Sequence, residues 1–214
     1  MGMGTLARRD GEAWVLDGQK MWITNGAVSE GELGDVFLVY AQTEDRAERA
    51  LSLFLVEKGT PGFELGQKIE GKLGMRASTT AAIVFDGCRV PQANLVGEAG
   101  GAVRSMMRNL EIERVTLAAM SLGIARRCVE VMNRYAQERT SFGKPLNRFG
   151  QIQRHIAESY AEYMAGRSYV YQVASQLELD ADDNRLDSDG VKLYFAAMAK
   201  NVADRAIQVL GGYG

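Results

Sequence analysis

The hydrophobic pattern changes its period near residue 100. Before that point, short apolar runs alternate with glycine-rich breaks: Trp14-Val15-Leu16, Met21-Trp22-Ile23, Val36-Phe37-Leu38-Val39-Tyr40, Leu51-Ser52-Leu53-Phe54-Leu55-Val56 and Ala81-Ala82-Ile83-Val84-Phe85. Runs of this length between turn residues predict strands. This half also holds 14 of the 24 glycines and two of the three prolines, which places a composition boundary at its end. Asp17-Gly18 separates the first two runs and tolerates the positive φ angles of a two-residue hairpin, so it predicts antiparallel pairing there. The second run delivers Thr24-Asn25-Gly26 at its end.

Beyond residue 100 the period is that of helices, predicted over 101–137, 151–177 and 189–210. In the second, Ile152, Ile156, Tyr160, Tyr163, Met164, Tyr171 and Ala174 form an apolar stripe. In the third, Val191, Phe195, Met198, Val202, Ala206 and Val209 do the same, and both stripes are expected to face the core. The predicted fold class is α+β: an antiparallel, barrel-like β-domain over 1–99, then a truncated bundle of long helices over 100–214. Three helices of this length ordinarily need a fourth to close their core. With a β-domain at residue 1 and a bundle ending on Leu210-Gly211-Gly212-Tyr213-Gly214, the chain is expected to be an internal segment of a longer protein. The acidic connection Asp180-Ala181-Asp182-Asp183-Asn184 is expected to be a solvated loop without a ligand.

Composition narrows the function classes. With 214 residues, 46% hydrophobic and 24% charged, the chain is neither disordered nor collagen-like. A formal charge of -2 gives no general attraction to nucleic acid or acidic lipid. No run reaches the roughly 18 uncharged apolar residues of a membrane span, and Met1-Gly2-Met3-Gly4-Thr5 has no signal-peptide pattern, so a soluble, unsecreted protein is expected. Cys88 and Cys128 lack metal-ligand spacing and are expected to be reduced and structural. His155, the single histidine, lies on a helical apolar stripe, so no metal site is predicted and zinc-enzyme or triad-hydrolase chemistry is disfavoured.

Four segments can carry chemistry. Residues three, four and seven positions from Glu113 are Met106, Asn109, Leu110, Thr116, Leu117 and Met120, a mostly apolar surrounding. For Glu111 the same positions hold Arg104, Met107, Arg108, Arg114, Val115 and Ala118. Glu111 is therefore expected to be paired and Glu113 desolvated, and a carboxylate deprived of water is the kind that serves as a general base near neutral pH. Trp22-Ile23-Thr24-Asn25-Gly26 reads as a core tryptophan before a turn or as a binding edge. Arg139-Thr140-Ser141-Phe142-Gly143-Lys144-Pro145 carries two cations and two hydroxyls, suited to a phosphate or to a plain surface crossing. In Gln208-Val209-Leu210-Gly211-Gly212, Gly211 is a helix cap or a site of close ligand approach.

Taken together, these segments resemble the acyl-CoA dehydrogenase family over almost the whole chain. Further support comes from Lys72-Leu73-Gly74-Met75-Arg76-Ala77-Ser78, from Val90-Pro91 ahead of Asn94-Leu95-Val96-Gly97, and from Glu138-Arg139 with Phe142-Gly143-Lys144. Cys88 before Arg89-Val90-Pro91, Leu110-Glu111-Ile112-Glu113-Arg114 and Arg167-Ser168-Tyr169-Val170-Tyr171 look most like the isovaleryl-CoA dehydrogenase branch, whose catalytic glutamate stands where Glu113 does. The resemblance implies FAD as cofactor, with Trp22, Ile23 and Thr24 at the flavin. Glu113 is implied to remove the proton beside the thioester carbonyl, and Glu111, Ile112 and Arg114 to lie along the CoA chain. Arg139, Phe142, Gln208, Val209, Leu210, Gly211 and Gly212 are implied to hold the FAD of a neighbouring subunit in a homotetramer. An electron-transfer flavoprotein is the implied electron acceptor, in a bacterial cytoplasm or a mitochondrial matrix. Two rivals remain: the same reaction with other chain specificity and a base beyond Gly214, or a non-catalytic paralogue in which Glu113 and Trp22 merely pack. Two positions depart from the pattern: Ala119-Met120 replaces Gly-Gly, and Phe149-Gly150-Gln151 replaces Phe-Gln.

Overall fold

Alternation along the strands sets the first core. In a computed structural model that describes residues 4–43, 50–178 and 185–214, the chain forms two compact units, Met1–Met106 and Met107–Gly214. The first contains β1 (Leu6–Asp10), β2 (Ala13–Thr24), β3 (Ala27–Ser29), β4 (Glu32–Leu33), β5 (Val36–Thr43), β6 (Ala50–Glu57), β7 (Phe63–Lys68), β8 (Thr80–Pro91) and β9 (Leu95–Val96). Seven of these make one sheet in the order β7-β8-β2-β1-β5-β6-β9, and β3 pairs with β4 separately. Trp14, Leu16, Phe54, Phe63, Ile83 and Phe85 fill the core, with Phe63 stacked on Phe85 and edge-on to Phe37.

Three expectations are corrected here. The sheet is mixed rather than antiparallel throughout, because β1 enters between β2 and β5 and runs parallel to β5 through Leu6↔Gln42 and Ala7↔Thr43. It is also not a closed barrel: its end strands β7 and β9 do not pair with each other. Asp17-Gly18 is not a hairpin turn but an irregularity inside β2, where the register against β8 slips between Leu16 and Gly18. The hairpin lies earlier, at Gly11, because β8 pairs with β2 on both sides of the slip and holds it extended through Gly18. Gly18 has φ 134°, and a Cβ there would stand 2.8 Å from the Thr5 Cα, so glycine is required. The Asp17 carboxylate accepts from the Gly87 N–H (2.8 Å) and the Arg8 guanidinium (2.6 Å), which together hold its pKa below the usual range.

Lys20 is the misfit of this unit. It stands opposite Ile83 on the core-facing side of the ladder, half-buried, with no carboxylate beside it among the described residues. Burial lowers its ammonium to about 8, against an ordinary value of 10.5. Between those two pH values the unfolded chain binds the proton that the folded chain has released, so stability rises as pH climbs from 8 towards 10.5. Lys20→Met is expected to stabilise the unit by roughly 1 kcal/mol at pH 7, less than the full shift implies because the head group is partly solvated. Chemical denaturation at pH 7 and pH 10 checks this. A gain that does not shrink at the higher pH would show that charge burial is not its cause.

The second unit holds most of α1 (Ala102–Glu138), a small hairpin of β10 (Thr140–Ser141) and β11 (Lys144–Pro145), α2 (Gly150–Gln176) and α3 (Arg185–Leu210). Each helix lies within a few residues of its predicted span. The α3 stripe is buried in full. The α2 stripe is not: Tyr160, Met164, Tyr171 and Ala174 are exposed, while Ser159, Gly166, Val170 and Val173 are buried. Gly166 explains the choice of face, since a Cβ there would sit 3.0 Å from the Phe195 ring, and its absence lets α2 and α3 approach. Tyr160, Tyr163 and Tyr171 instead line a groove of about 930 Å³ against Thr116, Ala119 and Gly123 of α1. Arg205 of α3 ties the helices with a bidentate pair to Glu162 (2.8 and 2.9 Å). Cys88 is buried, which pushes its thiol up to about 11 and keeps it unreactive. The 180–184 connection lies outside the described residues, and no described helix is long and apolar enough to cross a membrane.

Candidate flavin and thioester site

At the end of β2, backbone strain exposes an aromatic ring. The ladder with β8 slips again between Lys20 and Ile23, an insertion that bends the strand. Trp22 lies in it at φ 65°, a conformation costing a non-glycine residue about 1–3 kcal/mol. As a result Trp22 is 70% exposed while Ile23 packs on the core. Thr24, next but one, is also exposed. An indole face and a free hydroxyl on one strand end match a planar heteroaromatic ring with hydrogen-bond acceptors, so these residues fit a flavin.

The hairpin after α1 shows the same signature. Phe142 (φ 49°) and Gly143 (φ 78°) are the two turn residues between β10 and β11, the geometry of a type I′ turn, in which phenylalanine is unfavourable. Phe142 is 95% exposed. Arg139 beside it is exposed, and the Lys144 ammonium lies 4.3 Å from the Phe149 ring centroid. At the end of α3, Gln208 is exposed, Val209 buried and Leu210 half-buried, while Gly211 and Gly212 leave bare backbone with open space around them. Tyr135 and Tyr213, with ring centroids 6.4 Å apart, bring the ends of α1 and α3 together. Arg139, Phe142 and the Gln208–Gly212 turn thus form one end of the helical unit. Glu113 lies 25 residues before the last residue of α1, roughly 37 Å along the axis, so one chain does not bring it to them.

For the two glutamates the burial is the reverse of that expected. Glu111 is only 6% exposed, whereas Glu113 is exposed. The reason is that α1 has two apolar faces. At 100° per residue, Val115, Ala118 and Leu122 lie about 140–180° from Glu113, and it is these that pack into the core, on Glu111's side. Leu117, Met120 and Ile124 lie within about 40° of Glu113 and form a second, uncovered apolar strip, with Met120 and Ile124 each 53% exposed, while Met106 on the same side is half-buried against Leu51 and Leu53. Arg114 is also not Glu111's partner: its Nε bonds Asp189 Oδ1 on α3 at 2.9 Å. Ile112 and Arg114 are half-buried. The Asp189 pairing carried no local signal in the sequence, since 75 residues separate the partners.

Both units match domains of known proteins. Residues 100–214 match the acyl-CoA dehydrogenase C-terminal domain and residues 1–88 the middle domain. The chain belongs to the acyl-CoA dehydrogenase family. It is 41% identical over 202 residues to a mitochondrial isovaleryl-CoA dehydrogenase of Oryza sativa, covering 94% of this chain and 48% of that protein. The acyl-CoA dehydrogenase of Geobacillus kaustophilus superposes with a TM-score of 0.91 at 34% identity, over 99% of this chain and 55% of that one. A glutaryl-CoA dehydrogenase of Mycobacterium smegmatis, in complex with FADH2, gives 0.87 at 34% identity over 99% and 52%. The chain spans about half the length of the curated relatives it matches. Within the family fold, the β-unit carries the Trp22–Thr24 edge and the helical unit carries Glu113 and the Arg139–Phe142 end.

Proposed function

We propose that this chain is part of an FAD-dependent enzyme that introduces an α,β double bond into a short branched acyl-CoA thioester of isovaleryl type. The observation that carries the reading is Glu113, a carboxylate at the head of an uncovered apolar strip of α1 formed by Leu117, Met120 and Ile124. A thioester covering that strip removes water from the carboxylate, and such a carboxylate takes the proton beside the carbonyl. Flavin, when bound, accepts the hydride from the adjacent carbon. Trp22 offers its indole face to the ring and the Thr24 hydroxyl a hydrogen bond, while Ile23 anchors both to the β core. Ile112 and Arg114 are the accessible contacts for the CoA chain, with Glu111 behind them on the core side.

The roughly 37 Å between Glu113 and the Arg139 end supports two separate cofactor contacts per chain. Arg139, Phe142, Gln208, Val209, Leu210, Gly211 and Gly212 hold the FAD of a neighbouring subunit, in a homotetramer. An electron-transfer flavoprotein then reoxidises the flavin, in a mitochondrial matrix or bacterial cytoplasm. Anaerobic titration of the flavin-loaded full-length protein with isovaleryl-, isobutyryl- and butyryl-CoA tests the reaction. The oxidised flavin absorbance is expected to bleach with isovaleryl-CoA at the lowest concentration. If none of the three bleaches it, the dehydrogenase reading falls.

A further inference from the structure

The run Lys72-Leu73-Gly74-Met75-Arg76-Ala77-Ser78 has no task in the reaction above, yet it is bound to the strand end that carries Thr24. Its charges are placed unequally. Just before it, Lys68 and Glu70 cancel in an ion pair (2.9 Å), and Arg76 is exposed with its Nε donating back to the Lys72 carbonyl (3.0 Å). Lys72 is the one drawn inward. Its Nζ donates to Thr80 Oγ1 at 2.9 Å and to the Ser78 carbonyl. Thr80 is the first residue of β8 and stands opposite Thr24 in the β2–β8 ladder. The same junction is closed by the Asn25 N–H on the Thr79 carbonyl (3.1 Å) and the Ile69 N–H on the Thr80 carbonyl (2.8 Å).

Opposed residues of an antiparallel pair point to one face with Cβ atoms about 5 Å apart. The Lys72 ammonium is therefore held within about 10 Å of the Thr24 side chain, on Thr24's own face of the sheet. A lysine ordinarily keeps its head in bulk water on a flexible stem. Two acceptors fix this one beside the residue that contacts the flavin. We propose that Lys72 is a positioning and charge-supplying residue for the flavin: through Thr80 it holds the Thr24 strand end, and its positive charge favours the reduced cofactor. The inference rests on the flavin reading above. Two-electron reduction leaves the ring more negative, and a fixed cation nearby lowers the free energy of that state with only partial screening.

The test is the midpoint potential of bound FAD, measured by anaerobic dye equilibration in the full-length protein and its variants, with thermal unfolding alongside. Lys72→Met is expected to weaken the preference for reduced flavin about tenfold, which for a two-electron couple is a fall of about 30 mV. Lys72→Arg keeps the charge and is expected to restore most of the potential. Thr80→Val removes one acceptor and is expected to shift the potential in the same direction by less. An unchanged potential in Lys72→Met, while Thr24→Val shifts it, overturns the role of Lys72 and leaves the flavin reading standing. If Lys72→Met fails to fold or to hold FAD, Thr80→Val decides: a lowered potential supports the proposal and an unchanged one overturns it. If the parent protein takes up no FAD, both readings fall together.

Discussion

Glu113→Gln is expected to slow substrate-driven flavin reduction by at least a hundredfold while leaving thioester binding within a few-fold. The amide matches the carboxylate in size and keeps its polar contacts, but it cannot accept the α-proton, and a positioned base contributes about 10²–10⁴ in rate. Because Glu113 is exposed and on the face opposite the core, the substitution should cost less than about 0.5 kcal/mol of stability, so a lost rate cannot be blamed on unfolding. Glu111→Gln provides the contrast. It changes the buried carboxylate two residues away and is expected to disturb the thermal transition while slowing reduction by less than tenfold. Rapid mixing of each variant with isovaleryl-CoA, followed by flavin absorbance, reads the rates, and thermal unfolding reads the stability. Full-speed bleaching in Glu113→Gln would move the base elsewhere in the protein and favour the rival in which it lies beyond Gly214.

Phe195→Ala should unfold the helical unit more than any change at its surface. The ring is fully buried on α3, meets Tyr194 edge-on at 5.4 Å and fills the notch left by Gly166 on α2. Truncating a buried phenylalanine costs about 3–5 kcal/mol, through lost transfer free energy and the cavity left behind. For a unit of about 100 residues each kcal/mol moves the midpoint by about 4–8 °C, so a loss of about 12 °C or more in the helical circular dichroism transition is expected. Leu193, two residues earlier on the same helix, is 74% exposed, and Leu193→Ala is expected to shift the midpoint by no more than a few degrees. Equal effects from the two substitutions would mean that α3 does not bury the face described.

The two results share a cause, which also separates what was legible in the chain from what was not. The helix spans, the strand runs and the α3 stripe could be read directly, because each is a period repeated within one segment, and period is a local property of the backbone. The strand end at Trp22-Ile23-Thr24 and the Arg139–Phe142 hairpin were legible for another reason: their residue types in that order resemble one family. Their strain was not legible, because the positive φ at Trp22 and Phe142 is imposed by register against β8 and by the short β10–β11 turn.

Which apolar face a helix buries is settled by partners far away in sequence. α1 and α2 each carry two such faces, and local period weighs both alike. Gly166 against Phe195, and the burial of Val115, Ala118 and Leu122 in the shared helical core, choose one of them. That choice put Glu111 inside and Glu113 outside. Asp17-Gly18 follows the same logic, since a dipeptide suited to a turn stays within a strand when β8 supplies hydrogen bonds on both sides of it. Amino-acid order thus defined the elements and the chemical identity of the candidate groups. Long-range packing assigned each group to water, to the core or to a neighbouring side chain, because burial and pairing free energies depend on contacts that no local window contains.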